Sequence, residues 1–163
     1  WARRGGANVI ATVSSDEKAI HARAGGAHHT VNYRDEDATS QIMDLTNGVG
    51  VDRIIDVDLA ANLGLSSTVL KSEGMISTYA STGDAQNLLL RMALKNAVVR
   101  FMVLHSVPRA AIDHARADIS AWLAEEDGLH TVAGTFPLAG CAEAHKFVES
   151  GSKLGTVVVE PDK

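Results

Sequence analysis

Residues Ala11 to Ala19 read ATVSSDEKA, and the change of character within this stretch decides the fold. Ala7 to Val13 (ANVIATV) is apolar and rich in β-formers, the pattern of a strand covered on both faces. Ser14-Ser15-Asp16-Glu17 follows at once. Ser14 stands where a helix N-cap belongs and Glu17 lies three residues on, the spacing of a capping box. A helix is therefore predicted to about Ala24, where Gly25-Gly26 ends it. A buried strand feeding a capped helix is the first half of a βαβ unit.

The alternation continues outward. His29 to Tyr33 reads as a short strand, and Asp35 to Asp37 supply helix-start carboxylates for a helix to about Thr46. Asn47-Gly48-Val49-Gly50 is a turn before a strand at Val51 to Asp58 (VDRIIDVD). A helix over Asn62–Leu70, a turn at Lys71-Ser72-Glu73-Gly74 and a strand over Met75–Ala80 come next. Leu88–Lys95 reads as helix and Val98–Leu104 as strand. Pro108 is placed as the N1 proline of the longest helix, to about Glu126, with Ile112, Ala115, Ile119, Trp122 and Leu123 on one face. Thr131–Phe136 (strand), Ala139–Glu149 (helix) and Gly155–Glu160 (strand) complete the pattern. Such alternation predicts an α/β fold with a doubly wound parallel sheet.

Upstream, Trp1-Ala2-Arg3-Arg4-Gly5-Gly6 reads as the last turn of a helix, with basic residues at the negative dipole end and glycines to stop it. A chain seldom opens there, so a piece of a longer protein is the expectation. No G-x-G-x-x-G joins a strand to a helix anywhere, and the glycines at 48 and 50 precede a strand instead. The first strand and its glycine loop are expected before Trp1.

Composition narrows the classes of function. The 163 residues are 45% hydrophobic and 21% charged with a net charge of -5, enough for a real core in one ordinary globular domain. There is no basic tract and no aromatic cluster for stacking bases, which argues against nucleic acid as the partner. No apolar stretch approaches the roughly 20 residues that span a bilayer, so no membrane partner is expected. Cys141 is the single cysteine, so no internal disulfide forms, and a reducing, cytoplasmic setting is the expectation.

At the opening junction, residue types bear directly on ligand choice. In a dinucleotide fold the second strand ends beside the adenosine ribose, where an Asp or Glu binds the 2′-hydroxyl and selects NAD. Here the strand ends Thr12-Val13-Ser14-Ser15 with no acid at its tip. The hydroxyls of Ser14 and Ser15 and the ammonium of Lys18 suit a 2′-phosphate instead. Asp16 is close, but belongs equally to the first helical turn. The plainer reading, that Ser14 only caps a helix and Lys18 is a solvated charge, stands beside it. Asp56 and Asp58 share one face at the carboxyl end of a strand, where open α/β sheets bind ligands; they serve equally well as caps. His28 and His29 point to opposite faces of a strand, and the other histidines fall at no ligand spacing, so no metal is expected. Cys141 and His145 can touch across one helical turn, but nothing around them suggests an oxyanion hole, and a packed cysteine is the reading. No catalytic residue is named.

Four blocks in order, GGANVIATVSSDEKAIHARAGGAHHTVNYRDED, GVGVDRIIDVD, VLKSEGMISTYAS and TFPLAGCAEAHKFVESGSKLGTVVVE, resemble the quinone oxidoreductase (zeta-crystallin-like) branch of the medium-chain dehydrogenase/reductase superfamily. The resemblance spans nearly the whole chain. It implies an NADPH-dependent, zinc-independent reductase that passes hydride to a quinone or activated alkene. It further implies an incomplete Rossmann sheet over 1–128, lacking its first strand and glycine loop, and a segment 129–163 whose strands join an absent GroES-like catalytic domain. By the same resemblance Ser14, Lys18 and Tyr33 surround the adenosine 2′-phosphate, while Asp56-Val57-Asp58 and Tyr79-Ala80-Ser81 approach the nicotinamide. Two departures stand out: the D-x-V-G after the fourth strand is Asp56-Val57-Asp58-Leu59, and the Gly-Lys before the last strand is Gly155-Thr156.

Two physical consequences follow. Without a central strand, Ala7–Val13 and Val51–Asp58 expose unpaired backbone groups at about 1–3 kcal/mol each where buried, so the chain by itself is expected to be inactive and poorly stable. The apolar strand Val98–Leu104 would lie at the sheet edge, guarded only by Arg100, and a homodimer through that edge is expected. Alternatives are a zinc-dependent alcohol dehydrogenase of the same superfamily, a non-catalytic binding or structural module, and a Rossmann-like methyltransferase, against which the closing TFPL…VVVE block argues.

Overall fold

A computed structural model of the chain describes residues 1–34, 37–82, 89–125 and 129–161. Strands and helices alternate through them: β1 (Ile10–Val13), α1 (Asp16–Ala24), β2 (His29–Asn32), α2 (Ala38–Leu45), β3 (Val51–Asp56), α3 (Leu59–Val69), β4 (Leu70–Thr78), α4 (Leu89–Leu94), β5 (Val98–Phe101), α5 (Arg109–Ala124), β6 (Val132–Pro137), α6 (Cys141–Glu149) and β7 (Thr156–Glu160). They form three hydrogen-bonded sheets, β1-β2, β3-β4-β5 and β6-β7. The ladders β3–β4, β4–β5 and β6–β7 are parallel.

By packing, the chain divides into two compact units, Trp1–Thr30 with Ser120–Lys163, and Val31–Ile119. This packing division runs along other lines than the expected one into 1–128 and 129–163.

In the first unit, the opening residues form a single helical turn. Gly5 N–H donates to Trp1 O, Ala7 N–H to Ala2 O and Gly6 N–H to Arg3 O, with Gly6 at φ +83°. This is a Schellman closure. It engages the Ala7 N–H, so β1 starts at Ile10 and not at Ala7. Ser15, not Ser14, caps α1: its backbone is extended and its Oγ accepts from Lys18 N–H at 3.3 Å. Trp122 packs between Trp1 and His130, with ring centroids 5.3 and 5.1 Å away, and Arg4 pairs with Glu125. In the βαβ unit β6-α6-β7, Phe136 and Phe147 meet at 6.2 Å.

In the second unit, Leu59, Leu63, Leu70, Ile76 and Met92 form the core, with Ile54, Ala97 and Val99 packed against it. Several boundaries depart from the sequence expectation. β3 stops at Asp56, and α3 begins at Leu59 and not at Asn62. Lys71–Gly74 does not break the chain as a turn but bulges within β4. The register jumps from Val51↔Leu70 to Arg53↔Met75, while Glu73 adopts φ +61° and donates its N–H to Lys95 O. β5 stops at Phe101, and Leu104–Ser106 is a 3-10 turn. Asp37 caps α2 through Thr39 and Ser40 N–H. The expectations at Asp35, Glu36, Leu88 and Glu126 lie outside the described residues.

β5 is an edge strand of its sheet, with Val98 and Phe101 exposed and Met102, Val103 and Leu104 exposed beyond it. The apolar face expected on α5 is likewise largely uncovered, with Ile119 and Leu123 exposed. No helix among the described residues is long and apolar enough to cross a membrane.

Candidate functional site

The tip of β1 presents a cation held by neutral oxygens. Lys18 lies one turn into α1, and its Nζ donates to Ser14 Oγ at 3.0 Å and to the carbonyl of Gly151 at 3.1 Å. Gly151 follows α6 at φ +68°, and that conformation aims its carbonyl. Among the described residues no carboxylate forms an ion pair with Lys18. An ammonium has three N–H donors. Two are taken here by uncharged acceptors, so a third and the whole positive charge remain for an anion. Asp16 sits in the first turn of α1, favourable to the helix dipole. Ser14 and Ser15 divide the two roles that sequence left open: Ser15 caps and Ser14 holds the lysine. Tyr33 lies just past β2 in the second unit, with its ring half exposed.

The carboxyl edge of β3 and β4, in the second unit, gathers the other expected residues. Asp56 is 3% exposed and fully partnered. Its Oδ1 accepts from Asp58 N–H at 2.9 Å and from Asn62 Nδ2 at 2.8 Å, and its Oδ2 from Ser66 Oγ at 3.3 Å. This buried carboxylate draws the chain round into α3, which is why that helix starts early. Asp58 does not cap α3 with its side chain. It reaches to the loop after β4, accepting from Thr82 N–H at 2.8 Å and from the Thr82 hydroxyl. Those bonds, the hydroxyl's first, hold the Asp58 carboxyl below the usual aspartate range. Leu59 N–H and Thr78 Oγ1 both donate to Ala80 O, at 3.1 and 2.9 Å, and tie the same loops together. Val57, Tyr79, Ala80 and Ser81 are exposed around this clamp.

Sequence reasoning missed Asn62, Ser66, Thr82 and Gly151. Asn62 and Ser66 left a faint signal, two polar residues about one turn apart on the same helix. Thr82 and the Gly151 carbonyl left none.

The chain matches, over residues 1–119, the family described as zinc-binding dehydrogenase. It is 34% identical over 169 residues to a 2-haloacrylate reductase of a Burkholderia species, covering 99% of this chain and 50% of that protein. It is 33% identical over 169 residues to a zinc-type alcohol dehydrogenase-like protein of Schizosaccharomyces pombe, covering 99% and 47%. The crystal structure of Escherichia coli quinone oxidoreductase complexed with NADPH superposes with a TM-score of 0.86 at 26% identity, over 99% of this chain and 52% of that one. The chain thus spans about half the length of the curated relatives it matches. Zinc finds no donor set here: among the described residues no three His, Cys, Asp or Glu side chains stand together to hold a metal ion.

Proposed function

The chain belongs to the zinc-binding dehydrogenase family, in the quinone oxidoreductase branch of the medium-chain dehydrogenase/reductase superfamily, and on that premise we propose that the whole protein is an NADPH-dependent, zinc-independent reductase of quinones or activated alkenes. The observation that carries this reading is the Lys18 ammonium, held by Ser14 Oγ and Gly151 O and neutralised by no carboxylate among the described residues.

The cofactor, when bound, supplies a hydride from its nicotinamide C4. Ser14, Ser15, Lys18 and Tyr33 would hold the adenosine 2′-phosphate, a role that would use the spare N–H of Lys18 in a charge-assisted bond. Asp56, Val57, Tyr79, Ala80 and Ser81 would frame the nicotinamide side: Asp56 by fixing the turn after β3, the others by limiting the access of water. Reduction of the acceptor would also need a proton, which solvent or a group outside this chain would supply. Residues 1–128 act as the cofactor domain, and 129–163 return to a catalytic domain. The chain alone is inactive in this reading. The whole protein works in the cytoplasm as a homodimer through the edge Val98–Leu104.

Titration of the whole protein with NADPH and with NADH, followed by nicotinamide fluorescence, tests it. NADPH binding at least tenfold tighter is the expected result; equal binding would overturn the assignment. The similarity to a zinc-type alcohol dehydrogenase-like protein favours a second reading, a zinc enzyme with its ligands outside this chain. Metal analysis of the whole protein separates the two.

A further inference from the structure

The turn that ends α6 closes itself. Ser150 follows the helix and donates its N–H to Lys146 O at 3.0 Å, and Gly151, at φ +68°, donates to Val148 O at 3.2 Å. Ser150 Oγ spends its one proton on Phe147 O at 2.8 Å, so the Ser152 hydroxyl, 2.7 Å away, donates to it. The same Oγ accepts from Ser152 N–H at 3.3 Å. A helix end braced in this way needs no partner from elsewhere. Yet the Gly151 carbonyl also accepts from Lys18 Nζ at 3.1 Å, and both residues belong to the first packing unit. The gain falls to Lys18. Its other bond, to Ser14 Oγ at 3.0 Å, runs back along its own helix face and by itself leaves the long stem much freedom. With two of three N–H groups fixed, the direction of the third is set before any anion arrives. Such preorganisation strengthens binding by removing an ordering cost from the binding step.

We propose that Gly151 is a positioning residue for the Lys18 ammonium, and that the turn after α6 thereby sets the preference of this protein for NADPH over NADH. The inference rests on the proposed placement of the 2′-phosphate at Lys18 and adds to it a residue that acts only through its carbonyl. That carbonyl points at Lys18 because residue 151 is left-handed. Glycine adopts this conformation freely, asparagine tolerates it and a β-branched residue does not. A β-carbon at 151 meets no atom within 4 Å, so a substitution there acts on the backbone and not on side-chain packing.

The test is the ratio of Kd for NADH to Kd for NADPH, read by nicotinamide fluorescence on the whole protein and its variants. Gly151→Val is expected to lower that ratio roughly three- to tenfold, since the lysine must then be ordered during binding. Gly151→Asn keeps the left-handed turn, and its ratio stays within about twofold of the native value. Gly151→Ala strains the turn less than valine and gives a smaller fall in the same direction, which serves as the readout if the valine variant does not fold. In a Lys18→Met background Gly151→Val has nothing left to position, and the ratio stays where Lys18→Met puts it. A native-like ratio in both Gly151→Val and Gly151→Ala overturns the inference. So does an equal loss of affinity for both cofactors, or a fall of the same size in the Lys18→Met background, because either gives the turn a purely structural role. Those results leave the 2′-phosphate assignment standing if Lys18→Met alone lowers the ratio. A native protein that binds the two cofactors equally overturns that assignment and this inference with it.

Discussion

The ammonium of Lys18 donates to the carbonyl of Gly151, 133 residues further along the chain, at 3.1 Å. The contact joins the first helix of the chain to the turn after its last, and holds a cation at the tip of β1 without neutralising it. Replacing Lys18 by Met removes the charge and keeps the apolar stem. The Kd of the whole protein for NADPH then rises roughly ten- to hundredfold, the equivalent of one charged hydrogen bond, while that for NADH stays within about threefold. Fluorescence titration of both cofactors reads this, and a parallel loss of NADH affinity would place Lys18 in a purely structural role.

Asp56 organises the turn between β3 and α3. Asp56→Ala strands the Asp58 N–H, Asn62 and Ser66, and lowers stability by about 2–3 kcal/mol. Asp56→Asn keeps an oxygen for the first two, and its amide can donate to Ser66, so the loss is about 1 kcal/mol. Denaturant unfolding of the two variants gives the order directly; equal losses would show that the carboxyl charge itself is what the site requires.

Acid weakens three contacts together. Hydrogen bonds from Thr82 to Asp58, from Lys71 to Asp52 and from Arg4 to Glu125 each lower the folded-state pKa of the acid. A depressed pKa means that the contribution is complete above the unfolded values of about 3.9 for Asp and 4.3 for Glu, and is lost as pH falls through the lower folded values. From these groups the Tm holds steady near neutrality and declines below about pH 4. Thr82→Val flattens part of that decline. A Tm that rises on acidification through this window would contradict the assignment.

Gly50 precedes β3 at φ +89°, and a β-carbon there would run into the carbonyl oxygen of Val69. Gly48, two residues earlier at φ +77°, faces open space. Both positions strain an L-residue, but only Gly50 also collides with backbone that cannot move without disturbing the α3–β4 junction. Gly48→Ala costs about 1 kcal/mol, and Gly50→Ala more than about 2 kcal/mol. Equal costs in thermal unfolding would mean that the junction yields.

Much of the fold was legible because its signals are local. Capping and apolar runs act over a few residues, so the alternation of strands and helices could be read from ATVSSDEKA outward. Errors came at single residues where two local options compete. Ser14 and Ser15 are chemically alike, and only the extended backbone at Ser15 made it the cap. Lys71–Gly74 has turn composition, yet the parallel ladder with β3, which pairs both Leu70 before it and Met75 after it, absorbed it as a bulge. The site was half legible. Ser14, Lys18 and Asp56 stood out by residue type and place, while Thr82 and Gly151 did not.

Composition and order alone therefore determined the α/β alternation and the absence of an acid at the tip of β1. Each depends on residue identity within a short window. The tertiary structure decided which oxygen holds Lys18, where Asp58 turns, and how β4 shifts its register. Those outcomes depend on segments that meet only after parallel strands align. A hydrogen bond acts over about 3 Å in space and is indifferent to separation along the chain.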